Sequence, residues 1–327
     1  MHKFLITEKM PWQDTPTPTK RRKSCAESRN CLIDAARDHK ILYTLVQAME
    51  KISTQATSII ICADDFAITP EVSEGIVSLA EKSRISATSV MSLSPHWAGT
   101  ASLLRAVKNK IDVGLHFDLT SHFPHALGAG NSLGKLMLKS YLGQVSFAQI
   151  SSELHRQLDL FESHFGQAPD HIDGHQHVQQ FPVIQEALVK VMVDRYAGSQ
   201  MPWLRVSRIP SSQLNFKALI INAMGANSLS RLASENQIPQ SAYLTGVYEF
   251  KGNEQTFMQL LDRCLTNVPP NTVLMCHPGL PGSHEVIDYA ARLWEQNVLA
   301  SDFMVDLLHL RGLSLARGSQ SLKKQLA

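Results

Sequence analysis

Residues 58–66 read Ser58-Ile59-Ile60-Ile61-Cys62-Ala63-Asp64-Asp65-Phe66. A short, β-branched apolar run of this kind fits a strand buried on both faces, as in a parallel sheet. It stops at two adjacent acids. Three residues on, Thr69-Pro70-Glu71 opens a helix, with Thr69 able to cap it and Pro70 suited to the first helical position. Val72, Ile76, Leu79 and Ala80 give that helix one apolar face. The stretch is therefore a strand, an acidic turn and a helix.

The same alternation continues downstream. Further strands are predicted at 87–93, 111–119, 171–173, 204–206, 243–250, 272–276 and 313–316. Helices are predicted at 97–107, 147–165, 181–193, 216–232, 254–265 and 286–308, and Gly166 supplies a C-cap. Residues 121–147 carry no strong periodicity and read as a long connection. No internal repeat is visible. Strands alternating with helices over about 260 residues predict an α/β barrel or a doubly wound sheet.

Upstream, the composition changes. Thr15-Pro16-Thr17-Pro18-Thr19 followed by Lys20-Arg21-Arg22-Lys23 predicts a flexible basic tail. Helical spacing over 31–51 predicts one added helix. The expected organisation is an N-terminal extension over 1–56 and a catalytic domain over 57–320.

The 327 residues are enough for one large domain. The net charge of +2, with no basic stripe beyond residues 20–23, argues against a nucleic-acid partner. Five scattered cysteines without a Cys-x-x-Cys pair argue against a disulfide framework and against a cysteine-rich zinc site. They fit a reducing, cytoplasmic setting. No apolar run is long enough for a membrane span, and the start does not read as a signal peptide. A homodimer is compatible with these features.

The chemistry gathers at strand ends. Asp64 and Asp65 follow the first strand, His116 lies near the end of the third, His175 and His177 follow the fourth, and His277 follows the strand at 272–276. Catalytic groups of a barrel collect at the C-terminal ends of its strands. On extended chain Asp64 and Asp65 would point in different directions, while His175 and His177 would share one side. Two imidazoles and a carboxylate with open positions suit a catalytic divalent metal. The nitrogen ligands favour zinc over magnesium, which prefers oxygen. His155 and His164 fall on a helix face and take no role. His122 and His125 lie in the long connection, where they could line a cleft. There is no phosphate-binding glycine loop and no Gly-x-Ser-x-Gly elbow.

Four segments taken in order resemble the YdjC-like family of carbohydrate deacetylases, which includes chitooligosaccharide and hopanoid-associated enzymes. They are Ala63-Asp64-Asp65-Phe66, Gly114-Leu115-His116-Phe117-Asp118-Leu119-Thr120, Asp173-Gly174-His175-Gln176-His177-Val178 and Cys276-His277-Pro278-Gly279. The resemblance covers about residues 57–316. It implies a deformed (β/α) barrel of the glycoside hydrolase/deacetylase type. It also implies a metal held by Asp65, His116 and His175, usually given as magnesium in this family. By analogy with polysaccharide deacetylases, Asp64 would be the general base and His277 the general acid. The chain departs from the pattern in two places within this span. Ala67 stands where glycine is common, which predicts a different turn, and Gln179 stands where a third histidine is common.

The expected activity is metal-dependent removal of an acetyl group from an N-acetylated sugar. His177 and Asp118 would orient ligands or substrate, and Trp97, Phe117, Trp203 and Tyr248 are candidates for stacking on sugar. Two alternatives stay open: a metal hydrolase of another ester, amide or phosphoester on the same barrel, and a non-catalytic carbohydrate-binding protein.

Overall fold

A computed structural model describes residues 56–125, 132–214, 216–282, 286 and 288–322. The basic tail and the helix expected within 1–56 lie outside the described residues, save Ala56. In chain order the elements are β1 (Thr57–Phe66), α1 (Pro70–Glu81), β2 (Ala87–Val90), α2 (Trp97–Val107), β3 (Asp112–Phe117), α3 (Leu133–Tyr141) and α4 (Phe147–Phe165). They continue with β4 (His171–Gly174), α5 (Ile184–Tyr196), β5 (Trp203–Leu204), α6 (Phe216–Ile221), α7 (Asn227–Glu235), β6 (Tyr243–Thr245) and α8 (Glu254–Leu265). The last are β7 (Thr272–Cys276), α9 (Tyr289–Ala300), α10 (Asp302–Leu310), β8 (Leu313–Leu315) and α11 (Gly318–Ser321).

Ile59, Ile60 and Ile61 of β1 are buried, as the continuous apolar run requires. Each such side chain contributes about 1.5–3 kcal/mol by leaving water. β1 is flanked by β2 and β7, and the strand order is β5-β4-β3-β2-β1-β7-β6, every pairing parallel. The two ends of this path meet. Leu204 forms a parallel bridge with Gln240, just ahead of β6. The Leu204 N–H donates to the Pro239 carbonyl at 2.8 Å, and the Ser241 N–H donates to the Leu204 carbonyl at 3.0 Å. The sheet thus curls into the deformed barrel expected from the sequence. β8 lies off the ring and pairs with the start of β1, Thr57 opposite Leu313.

Parallel strands share one C-terminal end, so the residues that follow them converge. α1 begins as the sequence indicates, with the Val72 N–H donating to Thr69 Oγ1 at 3.3 Å. Gly166 ends α4 at φ +86°, a conformation open to glycine at no steric cost.

Several details differ from expectation. The connection 121–147 contains α3, capped by Ser132, whose Oγ accepts from the Lys135 N–H. Its short apolar pattern, with Leu136 and Ser140 buried, is too brief to stand out in sequence. The helix expected at 216–232 is broken by a π turn at Asn222–Ala226, where Gly225 takes φ +111°. The chain after β4 is not extended: His175–Gln180 is a 3₁₀ turn with Gln176 and His177 at positive φ. His175 and His177 therefore do not share a strand face. Ala67 takes φ +72°, so it adopts the left-handed backbone that a glycine would favour rather than a different turn. Ser73 Oγ accepts from its N–H, and Ser94 Oγ donates to its carbonyl.

Trp97, Phe117 and Trp203 are buried in the core and present no face to a sugar. The ring of His171 stacks on Trp203 at 4.3 Å and lies over Gly114, where a Cβ would meet it at 2.4 Å.

Candidate active site

At the C-terminal end of the ring, a bulge between Ala63 and Phe66 shifts the register of β1 against β2 and turns Asp65 to φ +65°. The two acids consequently face different partners. Asp65 Oδ1 lies 3.4 Å from His116 Nε2 and 3.2 Å from His175 Nδ1, neither aligned as a hydrogen bond. This oxygen is buried without a hydrogen-bond partner. The other oxygen, Oδ2, accepts from Arg292 Nη2 at 2.5 Å. Burial alone would raise the Asp65 carboxyl, but Arg292 and the two histidines overturn it and hold the group well below the usual carboxylate range.

His116 stands opposite Asp173 in the β3–β4 register. Its Nδ1 lies 2.6 Å from Asp173 Oδ1, an arrangement that turns Nε2 toward Asp65. Carboxylate support of this kind orients a metal-binding imidazole. Burial pulls His116 down, yet Asp173 and Asp64 raise it to about 10. Asp173 Oδ2 in turn accepts from Ser89 Oγ at 2.5 Å and lies 3.0 Å from Arg205 Nη1.

Asp64 is gripped by Arg205 through two hydrogen bonds, Nη1 to Oδ1 at 2.6 Å and Nη2 to Oδ2 at 2.8 Å. Arg205 is fully buried and follows β5, where its N–H donates to the Ile172 carbonyl at 3.1 Å. One buried guanidinium thus pairs with both Asp64 and Asp173, the kind of partner that a buried carboxylate requires. On the open side, His277 Nε2 lies 4.0 Å from Asp64 Oδ2. Burial pushes His277 down to about 4 against the pull of Asp65 and Asp64. The side chains of His175 and His277 keep 19% and 16% of their exposure, so they mark the mouth of a site whose acids lie deeper.

His277 is itself held from behind. Its N–H donates to Glu295 Oε2 at 2.5 Å, and Tyr248 Oη donates to Glu295 Oε1 at 2.6 Å. Burial raises Glu295 to about 7. Phe250 packs edge-on against the His277 ring at 5.0 Å. Tyr248 is half-buried, and its hydroxyl is engaged by Glu295.

The remaining sequence candidates take other places. Asp118 Oδ1 accepts from the N–H groups of Thr120 and Ser121, and its Oδ2 accepts from Ser121 Oγ, so this carboxylate shapes the turn after β3. His177 Nδ1 pairs with Ser207 Oγ at 3.0 Å; burial and Arg205 push it down to about 3. Gln179 donates to the Arg205 carbonyl and to Ser207 Oγ, both at 3.2 Å. It therefore steadies the segment that carries Arg205. His155 is exposed and His164 half-buried on α4; His122 is exposed, and His125 is buried with neither ring nitrogen partnered.

Among the described residues, three groups bring metal-type donors within reach of one point: Asp65 with His116 and His175, Asp64 with His116 and Asp173, and Cys62 with His171 and Asp173. Arg205 engages the carboxylates of Asp64 and Asp173, and burial holds the Cys62 thiol well above its ordinary value. The first group keeps an unpartnered carboxylate oxygen and reaches the mouth of the site. Its donor set could hold a divalent ion with positions left for water and substrate.

A parallel α/β barrel with acids and imidazoles gathered at its strand ends defines a class of hydrolase-type folds. Within that class, the chain belongs to the YdjC-like protein family, whose model matches residues 58–309. Among curated relatives, the chitooligosaccharide deacetylase of Serratia marcescens is 27% identical over 227 residues, 68% of this chain and 81% of that protein. The protein of the same name from Yersinia enterocolitica is 27% identical over 229 residues with the same coverage. A solved structure from Enterococcus faecalis V583, assigned to cellobiose-phosphate cleavage, covers 81% of this chain and 98% of its own at TM-score 0.61 and 20% identity. That likeness shows the fold.

Proposed function

We propose that the chain is a metal-dependent carbohydrate N-deacetylase, hydrolysing the acetamide of an N-acetylated sugar to acetate and an amine. The observation that carries this reading is the division of labour between adjacent acids. Asp65 turns a free oxygen to two imidazoles, while Asp64 is held by Arg205 with His277 beside it. Asp65, His116 and His175 are the proposed ligands; the two nitrogens favour zinc, and magnesium is the ion that the family resemblance suggests. When bound, a divalent ion supplies polarisation of the amide carbonyl and of a water.

The chain's own groups handle the protons. Asp64, held in place by Arg205, takes a proton from the attacking water. His277 delivers a proton to the leaving nitrogen. Held low by burial, His277 is neutral at rest near pH 7 and must gain its proton during the reaction. Asp64, 4.0 Å away and newly protonated, is a nearby donor in this scheme. His177 and Asp118 take supporting parts in it: His177 through Ser207, Asp118 through the turn behind His116.

The names of the relatives make chitin oligomers the first substrates to try. Metal-stripped protein should release acetate from them on addition of zinc, magnesium, manganese or cobalt, and Asp65→Ala should lose that response. Metal binding without acetate release from any N-acetylated sugar would overturn the deacetylase reading. Esters, other amides and phosphoesters would then be tested. Sugar affinity that Asp64→Asn leaves intact, with no turnover in either form, would favour a binding protein.

A further inference from the structure

Helix α9 buries three polar side chains along one face: Arg292, Glu295 and Gln296 are 5%, 0% and 6% exposed. Residues three and four apart lie on the same side of a helix. Burying charge on a helix that could have packed with apolar residues is rarely a route to stability, because well-packed hydrophobic replacements are often as stable or more so. The contacts of these residues point elsewhere.

Arg292 reaches Asp65 Oδ2 at 2.5 Å, the oxygen turned away from His116 and His175. Its own carbonyl accepts from the Gly279 N–H at 3.2 Å, in the loop that carries His277. One turn along, Glu295 accepts from the His277 N–H at 2.5 Å. Gln296 donates to Ser78 Oγ of α1 at 3.0 Å, and a Cβ on Gly75 of α1 would come within 2.9 Å of Gln296 Oε1 and 3.2 Å of the Leu280 nitrogen. Helix and loop are packed against α1 with no slack. Asp65 and His277 end neighbouring strands, yet no hydrogen bond or ion pair among the described residues joins their side chains. α9 touches both.

We propose that α9 is a positioning brace that sets the distance between the two working halves of the site. In it, Arg292 fixes Asp65 as a one-oxygen ligand and Glu295 fixes the backbone of His277. The proposal rests on the reading of Asp65 as a metal ligand and His277 as the proton donor. Arg292 stops the Asp65 carboxylate from rotating to present both oxygens. Glu295 holds the acid histidine at the mouth, where only its ring is free to move. Both act through another residue, and neither touches substrate.

Two conservative variants test the brace in the full chain. Arg292→Lys keeps the charge but loses the rigid fork, and should weaken zinc or cobalt affinity about tenfold or more, the scale for outer partners of metal ligands. Glu295→Ala should lower kcat for acetate release about tenfold or more, with KM and metal affinity within twofold of wild type. Glu295→Gln, which still offers an acceptor to the His277 N–H, should recover most of that loss. Thermal melting checks that each variant folds, and Glu295→Asp, whose shorter side chain draws the acceptor back from the His277 N–H, replaces the alanine variant if that one does not. Folded variants with wild-type metal affinity and kcat would overturn the brace. So would an equal loss of metal affinity in both, since that is the mark of a general loosening. Should the wild-type protein bind no ion or release no acetate, it is the functional reading that falls. Wild-type activity with unaffected variants removes the brace alone.

Discussion

The two sides of the ring build the site by different means. β1, β3 and β4 supply acids and imidazoles directly from strand ends: Asp64, Asp65, His116 and His175, with Asp173 behind. The other side supplies what holds them, Arg205 after β5 and Arg292 from α9, together with His277 after β7 and Glu295 behind it. The first side would be a cluster of repelling carboxylates without the second. The proposed metal ligands and base lie on one side, and the proposed acid, with most of the charge balance and placement, on the other.

The sharpest way to separate the sides is to remove the proposed base alone. Asp64→Asn should lower kcat for acetate release by about 10²–10⁴-fold, the usual share of general acid–base catalysis, with metal affinity little changed. A parallel loss of metal binding would show that Asp64 also serves as a ligand. Removing the balancing charge should act on folding instead. Arg205→Met leaves Asp64 and Asp173 buried without their cation and should cost about 3–5 kcal/mol in urea unfolding. A cost below about 1 kcal/mol would mean that solvent reaches those carboxylates.

A smaller effect concerns pH. Glu295 is raised from 4.5 to about 7, first by burial, so the folded chain holds this proton more tightly than the unfolded one. Its contribution is complete below about pH 4.5 and is lost as pH rises through about 7. The melting temperature of wild type minus that of Glu295→Gln should therefore fall across this window. A flat difference would remove Glu295 as a titrating group there. The smallest change is at Ala67, whose φ of +72° carries a cost that glycine avoids. Ala67→Gly should leave stability unchanged or raise it by about 1 kcal/mol, since the added freedom of the unfolded chain offsets part of the gain. A loss above 1 kcal/mol would show that the Cβ packs usefully.

The same contrast explains what could be read in advance. Parallel strands were legible in β1 because burial on both faces writes a continuous apolar run; α1 and α4 declared an end through Thr69-Pro70 and Gly166, and α2 and α8 take the bounds predicted for them. The strand-end acids and histidines stood out because such groups are unexpected after apolar runs. The turn after β4 was hidden, since positive φ at Gln176 and His177 has no marker in residues that usually avoid it. Arg205, Arg292 and Glu295 were missed because each partner lies far away in sequence. Arg205 left one faint signal, a charge set between Leu204 and Val206 in an otherwise apolar strand. Arg292 and Glu295 left none, because a charged pair three apart on a helix ordinarily faces water.

The ring of His171 lying over Gly114 has a consequence for how this chain can change. Gly114 opens the segment that ends in His116, and any side chain there would occupy the space of an imidazole contributed by another strand. The two positions form a single lock written in two places, 57 residues apart. A larger residue at 114 is open only to a descendant that has already given up the ring at 171. The reverse order, shrinking 171 first, leaves a hole beside Trp203 before anything can fill it.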